Sequence, residues 1–112
     1  KIVYQEKVEV EETDTGKTLY EKLENKAMKV LKKGLDGYYT GKINPFIPEE
    51  EGTYHSHADF LDLFEIHLDE MMKTKDLLKR LRALSFSPYK NAYYKVHGIK
   101  YNLDIIIDQT II

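Results

Sequence analysis

The chain has 112 residues, 42% hydrophobic and 32% charged, enough for one folded domain but too few for a complete nucleotide-binding enzyme with a second domain. No run approaches the ~18 apolar residues of a membrane span, Lys1 to Lys7 lack the apolar stretch of a signal peptide, and the absence of cysteine excludes disulfides, thiolate zinc sites and a cysteine nucleophile, as in a cytoplasmic protein. With 17 basic and 19 acidic residues the net charge is −2, which disfavours a nucleic-acid partner, since gripping a phosphate backbone needs a strongly positive surface.

In chain order, Ile2, Tyr4, Val8 and Val10 alternate with polar residues, predicting a half-buried strand over 2–12. Thr13 or Asp14 is placed to cap a helix. Leu19, Leu23, Ala27, Val30 and Leu31 form its apolar stripe, and Gly34 stands where a left-handed C-terminal residue is expected. Residues 37–59 are broken by Gly37, Gly41, Pro45, Pro48 and Gly52 and read as an ordered connector, with a short strand near Tyr38-Tyr39. Residues 60–68 are apolar with interspersed acids and fit a short helix or an extended piece. A second helix, capped by Thr74, buries Leu77, Leu78, Leu81 and Leu84. It ends at a Pro88 turn. A hairpin follows, Ala92–Val96 and Ile99–Asp108 joined at His97-Gly98, with Ile99, Tyr101, Leu103, Ile105 and Ile107 on one face.

Few residues suggest chemistry by themselves. His55, His57 and Asp59 would share a side of an extended segment, as a metal site might require, but no second ligand cluster exists, and we read them as polar loop residues with no metal. No nucleophile elbow or phosphate-binding glycine loop is present. The lysines at 26, 29, 32 and 33 suit a solvated helix face. Arg80 and Arg82 are two apart and point about 200° from each other on a helix. Either one reaches into a cleft to hold a diphosphate or carboxylate, or both are structural or surface residues. Tyr89, Tyr93 and Tyr94 stack on a nucleobase or pack the hairpin against the helix.

Two stretches resemble the folate-dependent formyltransferases, the family that includes methionyl-tRNA formyltransferase and the sugar N-formyltransferases. The first is Lys1-Ile2-Val3-Tyr4-Gln5, then Glu12-Thr13-Asp14-Thr15-Gly16, then Leu19-Tyr20-Glu21-Lys22-Leu23. The family there has a strand after its catalytic Asp-x-Gly, a Thr/Asp-rich turn, and a helix opening Leu-Tyr/Phe-Asp-Lys-Leu. The second is Arg80 to Tyr94: a helix ending Arg82-Ala83-Leu84-Ser85, the Pro88 turn, and a strand from Ala92-Tyr93, all preceded by Ile66-His67-Leu68-Asp69.

The resemblance implies an α/β fragment of three parts. Residues 1–36 are the last strand and helix of a Rossmann-like catalytic domain, 37–73 a connector, and 74–112 a C-terminal helix and β-hairpin. It implies transfer of a formyl group from N10-formyltetrahydrofolate to an amine. The family's Asn-x-His lies upstream of these stretches and its catalytic Asp just before the position of Lys1, while Asp14 belongs to the helix-opening turn. No catalytic residue is therefore assigned, the folate is held mainly by the N-terminal part, and the chain alone is expected to be inactive. The tRNA enzymes carry a basic β-barrel after the equivalent helix, whereas the sugar enzymes end in a short helix and hairpin. The layout here is similar to the latter, so the implied acceptor is the amino group of a nucleotide-linked sugar. Arg80, Arg82, Tyr89 and Tyr93 would border that nucleotide. The hairpin, with Leu103 to Ile107 and Thr110-Ile111-Ile112, would pair two copies as a homodimer. The alternatives are a non-catalytic binding or dimerisation module derived from the family, and a tRNA enzyme with a shortened tail.

Overall fold

The computed structural model describes residues 1–111. It contains α1 (Gly16–Thr40), α2 (His57–Asp62), α3 (Thr74–Leu84) and an antiparallel hairpin of β1 (Tyr93–Val96) and β2 (Ile99–Asn102). The expected mix of helices with a C-terminal hairpin is present. The chain divides into two units, one of Lys1–Val10 and Tyr20–Tyr54, the other of Glu11–Leu19 with the chain from His55 onward. The expected boundaries at 36 and 73 thus fall inside units, position 36 lying within α1.

In the first unit, residues 2–12 are not a strand. Their alternation supplies a half-buried face, but a strand also needs backbone partners. Among the described residues the segment has one antiparallel bridge, Ile2 with Phe46, closed by N–H···O bonds of 2.7 and 2.8 Å. A polar knot holds the segment to α1 instead. The Tyr4 hydroxyl donates to Glu6 Oε1 at 2.6 Å, Lys33 Nζ donates to the same oxygen at 2.9 Å, and Lys26 Nζ lies 3.2 Å from Oε2. Lys26 and Lys33 are seven apart, two turns along one helix face. The Tyr4 hydrogen bond, then those from Lys33 and Lys26, pull the Glu6 carboxyl from 4.5 down to about 2.

Helix α1 runs through Gly34 and includes Tyr38 and Tyr39, where the sequence suggested a stop and then a strand. A glycine inside a helix costs about 1 kcal/mol but does not end it. The terminator is Gly41, with φ 71°. Gly41 N–H donates to Tyr38 O at 3.3 Å and Lys42 N–H to Gly37 O at 2.8 Å, the paired bonds that close a helix through a left-handed glycine. At the other end the cap is Thr15, not Thr13 or Asp14: Thr15 Oγ1 accepts from Thr18 N–H at 3.4 Å, and Thr18 Oγ1 from Thr15 N–H at 2.8 Å. No residue of α1 is buried.

The second unit holds the core. Leu81, Leu84 and Ala92 are buried, with Phe64, Ile66, Leu77, Leu103 and Ile105 packed around them. Leu78, expected to be buried, is 42% exposed, because it points off the stripe formed by Leu77, Leu81 and Leu84. Thr74 is the first helical residue of α3 rather than its cap; Lys73 takes the cap position without a side-chain bond. Residues 57–62 resolve as helix because Ser56 and Asp59 form a reciprocal capping box, Ser56 Oγ accepting from Asp59 N–H at 3.1 Å and Asp59 Oδ2 from Ser56 N–H at 2.9 Å.

Candidate functional site

Helix α3 works as a strut with two guanidinium clamps. Arg80 donates from Nε to Leu63 O at 2.9 Å and from Nη2 to Glu65 O at 2.8 Å, with Nη1 3.4 Å from Glu70 Oε2. Arg82 donates from Nε to Asp14 O at 2.9 Å and from Nη2 to Glu11 O at 2.6 Å, with Nη1 3.4 Å from Glu12 Oε2. The two side chains leave opposite sides of the helix, as their spacing requires. Each meets a backbone turn with the planar fork that lysine cannot imitate.

The Arg82 clamp is tightly built. Asp14 is buried; its Oδ2 accepts from Glu11 N–H at 2.8 Å and its Oδ1 from the Thr18 hydroxyl at 2.9 Å. Lys17 N–H donates to Ser85 O at 3.1 Å, joining the first turn of α1 to the end of α3. Gly16 makes that approach possible, since a Cβ there would lie 2.5 Å from Ala83 O. Asn91 completes the end of α3 by donating from Nδ2 to Leu84 O at 2.9 Å.

The expected substrate residues separate into three places. Arg80 and Tyr93 meet at Glu65, where the Tyr93 hydroxyl donates to Oε1 at 3.4 Å. Arg82 serves the turn at 11–14. Tyr89 closes the Phe86–Tyr89 turn, across a cis Ser87–Pro88 bond, with its N–H donating to Phe86 O at 2.8 Å. Tyr89 is 67% exposed and borders a groove of about 330 Å³ lined by Leu84, Pro88, Lys90, Asn102 and Asp104. The His55–His57–Asp59 trio is not on one extended face, because His57 and Asp59 are helical and Asp59 is engaged in the capping box. Among the described residues no group of three or more His, Asp or Glu could hold a metal ion, and no helix is long and apolar enough to cross a membrane.

The hairpin is the more telling surface. Its turn, His97 (φ 49°) and Gly98 (φ 76°), has both residues left-handed, the two-residue form that matches strand twist. The register pairs Tyr94 with Tyr101 and Val96 with Ile99, one apolar face. The two tyrosine rings stack at 5.5 Å and 19°. This face starts at the buried Ala92 and the half-buried Leu103 and runs outward to Val96, Ile99 and Tyr101, all exposed. The outer edge of β1 is taken by a parallel bridge from Glu65 to Tyr93, with Tyr93 N–H to Phe64 O at 2.9 Å and Ile66 N–H to Tyr93 O at 2.7 Å. The outer edge of β2 has no strand beside it among the described residues. The expected strand to Asp108 stops at Asn102, yet Leu103, Ile105 and Ile107 remain half-buried while Asp104, Ile106 and Asp108 are exposed. The period-two pattern outlasts the ladder: Leu103 N–H still donates to Ala92 O at 3.0 Å, but no strand pairs with 104–108 among the described residues. Ile112, included in the expected association face, lies outside the described residues.

Comparison with known proteins places these features. Residues 59–109 match the family of N-formyltransferase dimerization C-terminal domains. A 4-N formyltransferase from Francisella tularensis is similar with a TM-score of 0.88 at 29% identity, over 96% of this chain and 45% of that one. A sugar N-formyltransferase from Shewanella sp. FDAARGOS_354 is similar with a TM-score of 0.84 at 28% identity, over 96% and 44%. A structure from Mycobacterium tuberculosis, with a TM-score of 0.88 at 23% identity over 96% and 47%, shares the fold. No curated protein matches the chain. The chain thus spans less than half the length of the solved structures it matches, and it resembles the C-terminal part of sugar N-formyltransferases.

Proposed function

We propose that this chain is the associating C-terminal part of a cytoplasmic sugar N-formyltransferase. The parent enzyme moves a formyl group from N10-formyltetrahydrofolate to the amino group of a nucleotide-linked sugar. The chain itself supplies the contact between two copies and no catalytic group. The observation that carries this reading is the apolar hairpin face, which runs from the core through the half-buried Tyr94 to the exposed Val96, Ile99 and Tyr101, beside a β2 edge with no neighbouring strand among the described residues. An exposed apolar strand edge is a template for pairing with another chain. In a two-fold dimer the same patch serves both copies. At the nucleotide, Tyr89 offers the exposed ring for a base, while Arg80 with the half-buried Tyr93, and Arg82, act at a distance by holding the backbone at 63–65 and at 11–14.

Sedimentation equilibrium over a range of concentrations tests the association. The mass should double on concentration, and Ile99→Asp, which would place an unpaired charge in the interface, should weaken association by at least about 100-fold with an unchanged circular dichroism spectrum. A monomer at all concentrations would overturn the reading. Formyl transfer by the chain alone should stay at background; turnover would refute the placement of the chemistry elsewhere.

A further inference from the structure

The other face of the hairpin carries an arrangement that apolar association does not use. The register sets Lys95 directly opposite Lys100. With Val96 and Ile99 flanking the turn as a hydrogen-bonded pair, Lys95 and Lys100 fall in the closer, non-hydrogen-bonded spacing, with Cβ atoms about 5 Å apart. Like charges so placed destabilise a sheet. Neither lysine makes an ion pair among the described residues. Both ammoniums instead lie over one ring, that of Tyr93, Lys100 at 4.1 Å and Lys95 at 6.0 Å from its centroid. The nearby carboxylate of Glu65 receives the Tyr93 hydroxyl at 3.4 Å and lies 3.6 Å from His67 Nδ1.

An ammonium above an aromatic face is held by the ring quadrupole while its three N–H donors stay available. The Tyr93 ring therefore gathers two exposed cations without neutralising either. We propose that Lys95 and Lys100, held by Tyr93, form a binding site for a phosphate-type dianion. A single carboxylate carries one charge and would leave one ammonium uncompensated. A phosphate group carries close to two charges and three strong acceptor oxygens, so it can take bonds from both. Lysine suits this role as a point charge that needs no planar partner. The site is independent of the formyl-transfer reading.

The test is a titration of the full chain with inorganic pyrophosphate and, separately, inorganic phosphate, at low ionic strength and with matched chloride as control, read from backbone amide resonances. Saturable shifts should cluster at residues 93–101. Lys95→Gln and Lys100→Gln should each weaken binding about fivefold, the loss of one exposed charge pair, and the double variant should abolish it. Tyr93→Phe keeps the ring and should bind as before, as should Lys29→Gln on α1. Shifts spread over lysines throughout the chain, or binding that survives the double variant, would overturn the proposal.

Discussion

Replacing Arg82 by lysine keeps the charge and removes the fork. In the structure Nε and Nη2 hold two backbone oxygens, Asp14 O at 2.9 Å and Glu11 O at 2.6 Å, and the side chain is only 13% exposed. A hydrogen bond from a charged donor contributes about 1.5–3 kcal/mol. A lysine ammonium reaches one of the two oxygens, so Arg82→Lys should cost about 2 kcal/mol, and Arg82→Ala, which orphans both, about 3 kcal/mol. The first corresponds to a drop of about 10 °C in melting temperature for a domain of this size. The third contact is of another kind: Glu12 is 97% exposed and sits at 3.4 Å, so Glu12→Ala should cost under about 0.5 kcal/mol. Urea unfolding followed by far-UV circular dichroism separates these cases, and no tryptophan is present to serve as an alternative probe. An Arg82→Lys variant within about 0.5 kcal/mol of the parent, or a Glu12→Ala variant as damaged as Arg82→Lys, would refute the view that the backbone contacts carry the clamp.

Other perturbations have equally definite outcomes. Gly16→Ala gains helix propensity but puts a Cβ 2.5 Å from Ala83 O, so thermal melts should show a net loss of about 2 kcal/mol rather than a gain. Leu84→Ala, at 2% exposure, should lose about 3 kcal/mol in urea unfolding, whereas Leu78→Ala, at 42%, should lose under about 1 kcal/mol. Because the Glu6 carboxyl is held at about 2 against 4.5 unfolded, its contribution is complete above pH 4.5 and disappears as pH falls toward 2. Glu6→Gln should therefore lower the urea midpoint at neutral pH and converge with the parent near pH 2, and a constant difference between the two across that window would contradict the knot at Tyr4, Lys26 and Lys33.

What could be read in the sequence was what neighbouring residues decide among themselves. The Leu77–Leu81–Leu84 stripe places α3, and His97-Gly98 sets the turn and hence the whole register of the hairpin. Residues 2–12 misled because alternation describes a face and says nothing of a partner strand; among the described residues only Ile2 has even a bridge partner, Phe46. Gly34 misled because a glycine permits a left-handed residue without requiring it, and the choice of Gly41 depends on the bonds that Gly41 and Lys42 make back into the helix. Ser56-x-x-Asp59 is a legible helix start, since a serine with a carboxylate three residues on can form a reciprocal capping box. The arginines were legible as a pair facing opposite ways. Their ligands were not, because Arg82 binds a turn 68 to 71 residues away in sequence. The apolar face of Ile99 and Tyr101 was readable from alternation, whereas the convergence of Lys95 and Lys100 on one ring depends on the register.

The two clamps also differ in how much chain each must close. The Arg80 bonds span 15 and 17 residues, while the Arg82 bond to Asp14 spans 68. Loop-closure entropy grows as the logarithm of length, so the longer closure costs about 1.2 kcal/mol more before any contact is made. The segment from Leu63 through α3 is therefore the cheaper piece to assemble during folding, and the docking of residues 11–14 comes after it. Damage to the Arg80 clamp should slow refolding, and damage to the Arg82 clamp should chiefly hasten unfolding. Two arginines two positions apart on the same helix would then act on opposite arms of the folding kinetics.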